Sequence, residues 1–226
     1  MPDLANHVVV VNGAAGRLGR VVCAHLAAAG ATVVAVDREA PEPPDAGERP
    51  ARFVGVAADV TDESGVRHAF AVAAESGPIT GLIHTVGMWA GAPLAETGLD
   101  AWETLLRVNL TSAFLAFREA SRRMADGGRL VAIASGQGAD RGVAEQAGYS
   151  ASKAGVVRLV ESATAELAPR GITAAAVAPS TILFGDEDPG TPGVAVDEIA
   201  ALCVRLLGPD GAAHAGETIR AYGTAG

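Results

Sequence analysis

The sequence predicts an α/β fold, a doubly wound parallel sheet of about seven strands with helices on both faces. Three observations predict it. Short apolar runs alternate with helical stretches along the whole chain, the pattern of βα units rather than hairpins. A glycine-rich turn, Gly13-Ala14-Ala15-Gly16-Arg17-Leu18-Gly19, joins the first apolar run to the first helix. Candidate binding residues recur where the apolar runs end: Asn12, Asp37, Asp59, Val86-Gly87, Ser135 and Pro179. Ligands of open parallel sheets bind beyond the carboxyl ends of the strands, so these positions share one rim.

Each element has a local reason. Val8-Val9-Val10-Val11 is unbroken and apolar, as a strand buried on both faces requires, and ends at Asn12-Gly13. Leu18 to Ala29 has helical composition and stops at Gly30. Thr32 to Val36 is a second strand closed by Asp37, and Phe53 to Ala57 a third. Residues 39–51, rich in proline and acid, read as a surface loop between them. Thr61-Asp62-Glu63 opens a helix to about Ser76, before Gly77-Pro78. Gly81 to Val86 is the fourth strand, Leu99 to Met124 a long helix and Arg129 to Ala134 the fifth strand. A helix over Gly148 to Leu167 and a strand over Ile172 to Ala178 follow. The stretch Gly185 to Gly193 carries too much proline and glycine for a helix. A helix over Asp197 to Leu207 and a last strand over Thr218 to Tyr222 complete the pattern.

A chain of 226 residues without repeat or linker reads as one domain, 1–226. A net charge of -9 argues against nucleic acid as a partner. Cys23 and Cys203 lack the spacing of a metal site, so no metal is expected and reduced thiols fit a cytoplasmic setting. The start of the chain does not read as a signal peptide, and no apolar stretch is long enough to span a membrane.

Tyr149 and Lys153 lie one turn apart on one helix face. A phenol titrates near pH 10, and a nearby ammonium lowers that value toward the range in which it can exchange a proton at neutrality. Lys153 is the one lysine of the chain; the other sixteen of its seventeen basic residues are arginine. Arginine is planar and permanently charged, so a spared lysine points to a role arginine cannot fill.

The glycine turn lets backbone approach a pyrophosphate, and the helix N-terminus behind it offers free N–H groups. Asp37, about 20 residues on, suits the adenosine ribose hydroxyls and repels a 2′-phosphate, which favours NAD(H). Arg17 and Arg38 suit that phosphate and keep NADP(H) open.

On the glycine turn and the segment Tyr149-Ser-Ala-Ser-Lys153-Ala-Gly, the chain resembles the short-chain dehydrogenase/reductase family from Val8 to about Gly223. Ser135, Asn109, Asp59-Val60-Thr61-Asp62 and Gly216 to Gly223 match further motifs of that family. The resemblance implies a Rossmann-type NAD(P)-binding domain that moves hydride between nicotinamide and a ketone or secondary alcohol. It implies Tyr149 as general acid and base, Ser135 on the substrate oxygen, Lys153 tuning Tyr149 and holding the ribose, and Asn109 placing a relay water. It implies cofactor contacts from Gly13, Gly16, Arg17, Leu18, Gly19, Asp37, Arg38, Asp59, Val60, Thr85, Gly87, Tyr149, Lys153, Pro179 and Ile182. A homodimer or homotetramer pairing through the long helices is also implied.

The chain departs from the family pattern at several positions. Arg17 stands where glycine is commoner, His84-Thr85-Val86-Gly87 replaces Asn-Asn-Ala-Gly, Ser180 follows Pro179, and Phe184 stands where a threonine usually meets the carboxamide. These changes keep open a non-redox enzyme on the same fold, or a binding protein that senses the cofactor. The segment over about 184–194 is short for a lid, so an open site is expected, one that admits a bulky or carrier-bound substrate. Met88, Trp89, Gln137, Val143 and Phe184 are its candidate walls.

Overall fold

A computed structural model describes residues 1–44 and 52–224. The second half of the loop expected over 39–51 therefore lies outside the described residues. The chain folds as β1 (Val8–Asn12), α1 (Arg17–Ala28), β2 (Thr32–Asp37), β3 (Phe53–Ala57), α2 (Glu63–Glu75) and β4 (Ile79–His84). Then come α3 (Leu99–Leu106), α4 (Ser112–Arg123), β5 (Met124–Ile133), α5 (Gly136–Ala139), α6 (Ala147–Leu167) and β6 (Thr173–Pro179). β7 (Ile182–Leu183), β8 (Val194–Ala195), α7 (Val196–Leu207) and β9 (Thr218–Ala221) finish the chain.

Seven strands form one parallel sheet in the order β3-β2-β1-β4-β5-β6-β9. The valine run of β1 shows why it is central. Val8 and Val10 face a core shared with α2, α4 and α6, while Val9 and Val11 face a second core shared with α1 and α7. Successive side chains of a strand point to opposite faces, so only an unbroken apolar run serves both cores. The strand order reverses between β1 and β4, which opens a crevice at their carboxyl ends.

The boundaries differ from expectation where packing overrides local pattern. β4 starts at Ile79 and stops at His84, before Thr85-Val86, because Val86 leaves the sheet to wall the crevice. The expected helix over Leu99 to Met124 is interrupted by a π-turn over Arg107–Thr111, where Ser112 N–H bonds the Arg107 carbonyl. Such wide turns are frequent at functional sites. β5 begins at Met124, with a register slip opposite β4 between Ile79 and Gly81. α2 starts as expected, capped by Asp62, whose carboxylate accepts Ser64 N–H at 2.7 Å. Among the described residues, no helix is long and apolar enough to cross a membrane, and no cluster of His, Cys, Asp or Glu suits a metal ion.

His84 locks β1 and β4 to the π-turn. Its Nδ1 lies 3.3 Å from Asn12 Nδ2 and its Nε2 3.0 Å from Ser112 Oγ. The Ser112 hydroxyl donates to the Val108 carbonyl at 2.5 Å, so Nε2 carries the ring proton and Nδ1 accepts from Asn12. Burial, and then the charge of Lys153, push His84 down to about 3. The folded ring stays neutral from about pH 6.5 to 3, a range in which the unfolded chain binds a proton. Stability from this group is therefore complete above about pH 6.5 and lost as pH falls toward 3. At pH 5 the loss is about 2 kcal/mol relative to pH 7. Urea midpoints at the two pH values should differ less in His84→Asn than in the parent chain. Equal differences would remove this role.

Candidate active site

Two adjoining cavities open at the carboxyl ends of the strands. The first, about 540 Å³, runs along the glycine turn and past the ends of β2 and β3 to the segment after β4. Gly13, Gly16, Asp37, Arg38, Asp59, Val60, Thr85 and Gly87 all line it, as expected of cofactor residues. Met88, expected in the substrate wall, lines it as well, and so do Arg107 and Val108 of the π-turn, which pattern alone did not single out. Gly13 is held at φ +81°, and a Cβ there would lie 2.7 Å from Thr85 Oγ. Only glycine gives this turn its shape. The cavity, its bare turn and the N-terminus of α1 suit a dinucleotide pyrophosphate.

Asp37 braces the turn. Its Oδ2 accepts Ala15 N–H at 2.9 Å and its Oδ1 accepts Arg38 N–H at 2.8 Å. Asp59 Oδ1 accepts both the amide and the hydroxyl of Thr61, each at 2.8 Å, and those bonds hold its carboxyl below the usual range. The Thr85 hydroxyl donates back to the Asn12 carbonyl at 2.8 Å, closing β4 onto β1.

The second cavity, about 860 Å³, is lined by Ser135, Tyr149, Trp89, Gln137, Val143 and Pro179. Gly136, Asp140, Arg141, Ser180, Thr181 and Tyr222 complete its wall and were not among the expected wall residues. Tyr222 had a signal, since it is the second of the two tyrosines and both line this cleft. Asp140 and Arg141 had none, because the loop between α5 and α6 has no periodicity to aim its side chains.

Ser135 lies two residues past the end of β5 and caps α5, its hydroxyl oxygen accepting Gln137 N–H at 3.2 Å. Tyr149 and Lys153 share one face of α6. Lys153 is buried, with Nζ donating to the Ile133 carbonyl at 2.8 Å and burial pushing it down to about 8. A Cβ on Gly87 would lie 3.0 Å from that nitrogen and 3.4 Å from Asn109 Oδ1, so all three groups meet. The expected tuning of Tyr149 takes a different form. Burial pushes the phenol up from its usual value, and the neighbouring Ser135 hydroxyl pulls it partly back. The Lys153 ammonium donates to a backbone carbonyl, and burial is the larger influence on the phenol.

Asn109 is fully buried in the π-turn. Its Oδ1 accepts Met88 N–H at 2.7 Å, and its Nδ2 donates to the Met88 carbonyl and to Ser152 Oγ, each at 3.0 Å. The amide therefore ties the crevice segment to the helix that carries Tyr149.

Pro179, expected on the cofactor, lines the second cavity instead, and besides the buried Asn109 and Lys153 five other expected residues line neither cavity. Phe184 is not in the cleft wall; it packs under the Arg17 guanidinium, 3.9 Å from the ring centre. Arg17 does not line the cofactor cavity and pairs with Asp186 at 2.6 Å, because the segment after β7 folds back over the glycine turn. Ile182 pairs with Val194 and packs against the core under α1 and α7, away from both cavities. Leu18 and Gly19 are buried beneath the turn, where a Cβ on Gly19 would run into the Gly13 carbonyl. Their buried atoms serve helix packing, while their amides are among the free N–H groups at the start of α1.

A family model described as short chain dehydrogenase matches residues 7–185. The chain is 35% identical over 184 residues to the 3-oxoacyl-(acyl-carrier-protein) reductase MabA of Mycobacterium tuberculosis, covering 80% of this chain and 71% of that protein. It is 36% identical over 189 residues to D-threitol dehydrogenase of Mycolicibacterium smegmatis, covering 80% and 72%. A short chain dehydrogenase of Burkholderia cenocepacia, solved in complex with NADP, superimposes with a TM-score of 0.87 at 26% identity, covering 100% of this chain and 99% of that one.

Proposed function

The chain belongs to the short-chain dehydrogenase/reductase family and is an NAD(P)-dependent enzyme of it, and on that premise we propose that it interconverts a ketone and a secondary alcohol with Tyr149 as general acid and base. The observation that carries this reading is the junction of the two cavities. Met88 walls the cofactor cavity and Trp89, next in the chain, walls the cleft that holds Ser135 and Tyr149. The residues lining the first cavity would hold a dinucleotide, which would supply or accept the hydride. In reduction, the phenol of Tyr149, kept protonated by its burial, gives its proton to the carbonyl oxygen. Ser135 bonds the same oxygen as charge grows on it. Lys153, buried beneath, places a positive charge near the phenolate that results. Asn109 holds Met88 and α6 in register, so the two walls keep their spacing.

The test is incubation with NADH or NADPH and a panel of ketones, following absorbance of the reduced nicotinamide. Turnover of a ketone supports the reading; tight cofactor binding without turnover of any panel member counts against it.

NAD(H) is the cofactor this site suits better. Asp37 presents a carboxylate at the end of β2, beside the position of the adenosine ribose. The Burkholderia neighbour holds NADP, and Arg38 is the residue here that would meet its extra phosphate. Asp37→Ala should shift the NADPH-to-NADH ratio of kcat/KM toward NADPH by about tenfold, the scale of one lost charge contact. An unchanged ratio would mean that Asp37 only braces Ala15.

No residue of 182–195 lines the cleft, which leaves room for a bulky or carrier-bound substrate. We keep the homodimer or homotetramer as a proposal; a solution mass of one chain by light scattering would overturn it.

A further inference from the structure

We propose that Arg141 recognises an anionic group on the substrate, so that the enzyme acts on ketones or alcohols that carry a carboxylate. This deepens the reading of the cleft as a substrate site and rests on it.

The cleft wall carries two charged side chains, Asp140 and Arg141. Asp140 is already spent. Its Oδ1 accepts Arg220 Nε at 2.7 Å, and its Oδ2 accepts the Tyr222 hydroxyl. Tyr222 stands over Gly136, where a Cβ would lie 3.0 Å from its ring, so the pair is fixed to the cleft wall. Arg141 is exposed at the same wall and has no ion pair or side-chain hydrogen bond among the described residues. The Arg141 charge acts on Asp140 as well, but Arg220 and Tyr222 already occupy that carboxylate, so the donors of the guanidinium stay free. A positive group with free donors runs against the balance of the whole chain, which is -9.

The rest of the wall is neutral. Trp89, Val143 and Pro179 give it apolar surface, and Gln137, Ser180 and Thr181 give it hydrogen-bonding groups without charge. A substrate that enters with its carbonyl at Tyr149 and Ser135 therefore meets one positive side chain whose donors are free. A guanidinium presents a planar fork of donors that matches a carboxylate bidentately. Solvent screening weakens a charge pair at an exposed side chain, and the bidentate fork offsets part of that, so the expected preference is about tenfold at most.

Calorimetry with cyclohexanecarboxylate and its neutral match, cyclohexanecarboxamide, tests binding without turnover. The acid should bind the parent chain more tightly than the amide, by about tenfold at most. Arg141→Gln should bring that ratio near one, and Arg141→Lys should restore part of it, because lysine keeps the charge but not the fork. Equal affinities for acid and amide in the parent chain, including no detectable binding of either, would overturn the proposal. So would an acid preference that survives Arg141→Gln. A kinetic arm compares 4-oxocyclohexanecarboxylate with its methyl ester, and the acid-to-ester ratio of kcat/KM should collapse in Arg141→Gln. If neither ketone is reduced, the proposed reaction fails, while the calorimetry still decides Arg141.

Discussion

Tyr149→Phe should lower kcat by about 10²–10⁴-fold while leaving dinucleotide affinity within about threefold, because general acid–base catalysis contributes on that scale. The substitution keeps the aromatic ring in the cleft wall and removes only the hydroxyl. Burial holds the phenol above its usual value, so at neutral pH it carries its proton and stands as an acid beside Ser135. Phenylalanine has no proton to give, and water in the cleft is a poor substitute. The cost to folding is small, about 1 kcal/mol for one neutral hydrogen bond. A loss of activity with an unchanged urea midpoint therefore isolates the chemistry. A variant that kept more than a tenth of the parent kcat would show that another group delivers the proton.

Lys153→Met should separate catalysis from stability more sharply. The ammonium is buried and pushed down to about 8, and Nζ has one recorded partner, the Ile133 carbonyl, for its three donors. Its folded value lies below its unfolded one. The folded state therefore bears a cost for holding the charge, complete below about pH 8 and relieved as pH rises toward 10.5. At pH 7 that cost is about 3 kcal/mol, the same order as the charged hydrogen bond it makes. Methionine keeps the apolar stem and drops both terms, so the urea midpoint at pH 7 should change little. Its rise between pH 8 and 10.5 should flatten. Turnover should still fall by about 10³-fold, because no cation then faces the developing phenolate. Retained turnover would place Lys153 with the packing residues, and a collapse of stability would make it an anchor of β5 to α6 instead.

The contrast with His84 is instructive. Both groups are buried, and both are pushed toward their neutral forms by burial. His84 has two polar partners and no path to either cavity, so its network sets geometry. Lys153 has one carbonyl and faces Gly87 at the edge of the cofactor cavity. Similar burial thus serves a strut in one case and, in the proposed mechanism, a group beside the reacting atoms in the other, according to what lies on the open side.

Much of this arrangement was legible along the chain. The valine run of β1, the glycine turn and the Tyr149/Lys153 spacing all depend on short-range periodicity, which sequence carries directly. Strand ends were legible because a parallel sheet puts its carboxyl ends on one rim, and Asp37, Asp59 and Ser135 line cavities there. The π-turn was not legible. Arg107 to Thr111 has ordinary helical composition, and the wide turn arises from contacts with Met88, His84 and Ser152, residues distant in the chain.

Sequence by itself determined the order of strands and helices, the bare glycine turn and the pairing of a phenol with a lone amine. Each is written in residues a few positions apart, where steric and hydrogen-bonding rules act locally. Tertiary structure alone decided that Phe184 and Arg17 clasp each other instead of lining the cavities, that Asp140 is neutralised by Arg220, and that Arg141 is left facing the cleft. Those outcomes join residues as far apart in the chain as Arg17 and Phe184. They follow from which surfaces the folded sheet brings together, and no local pattern encodes that.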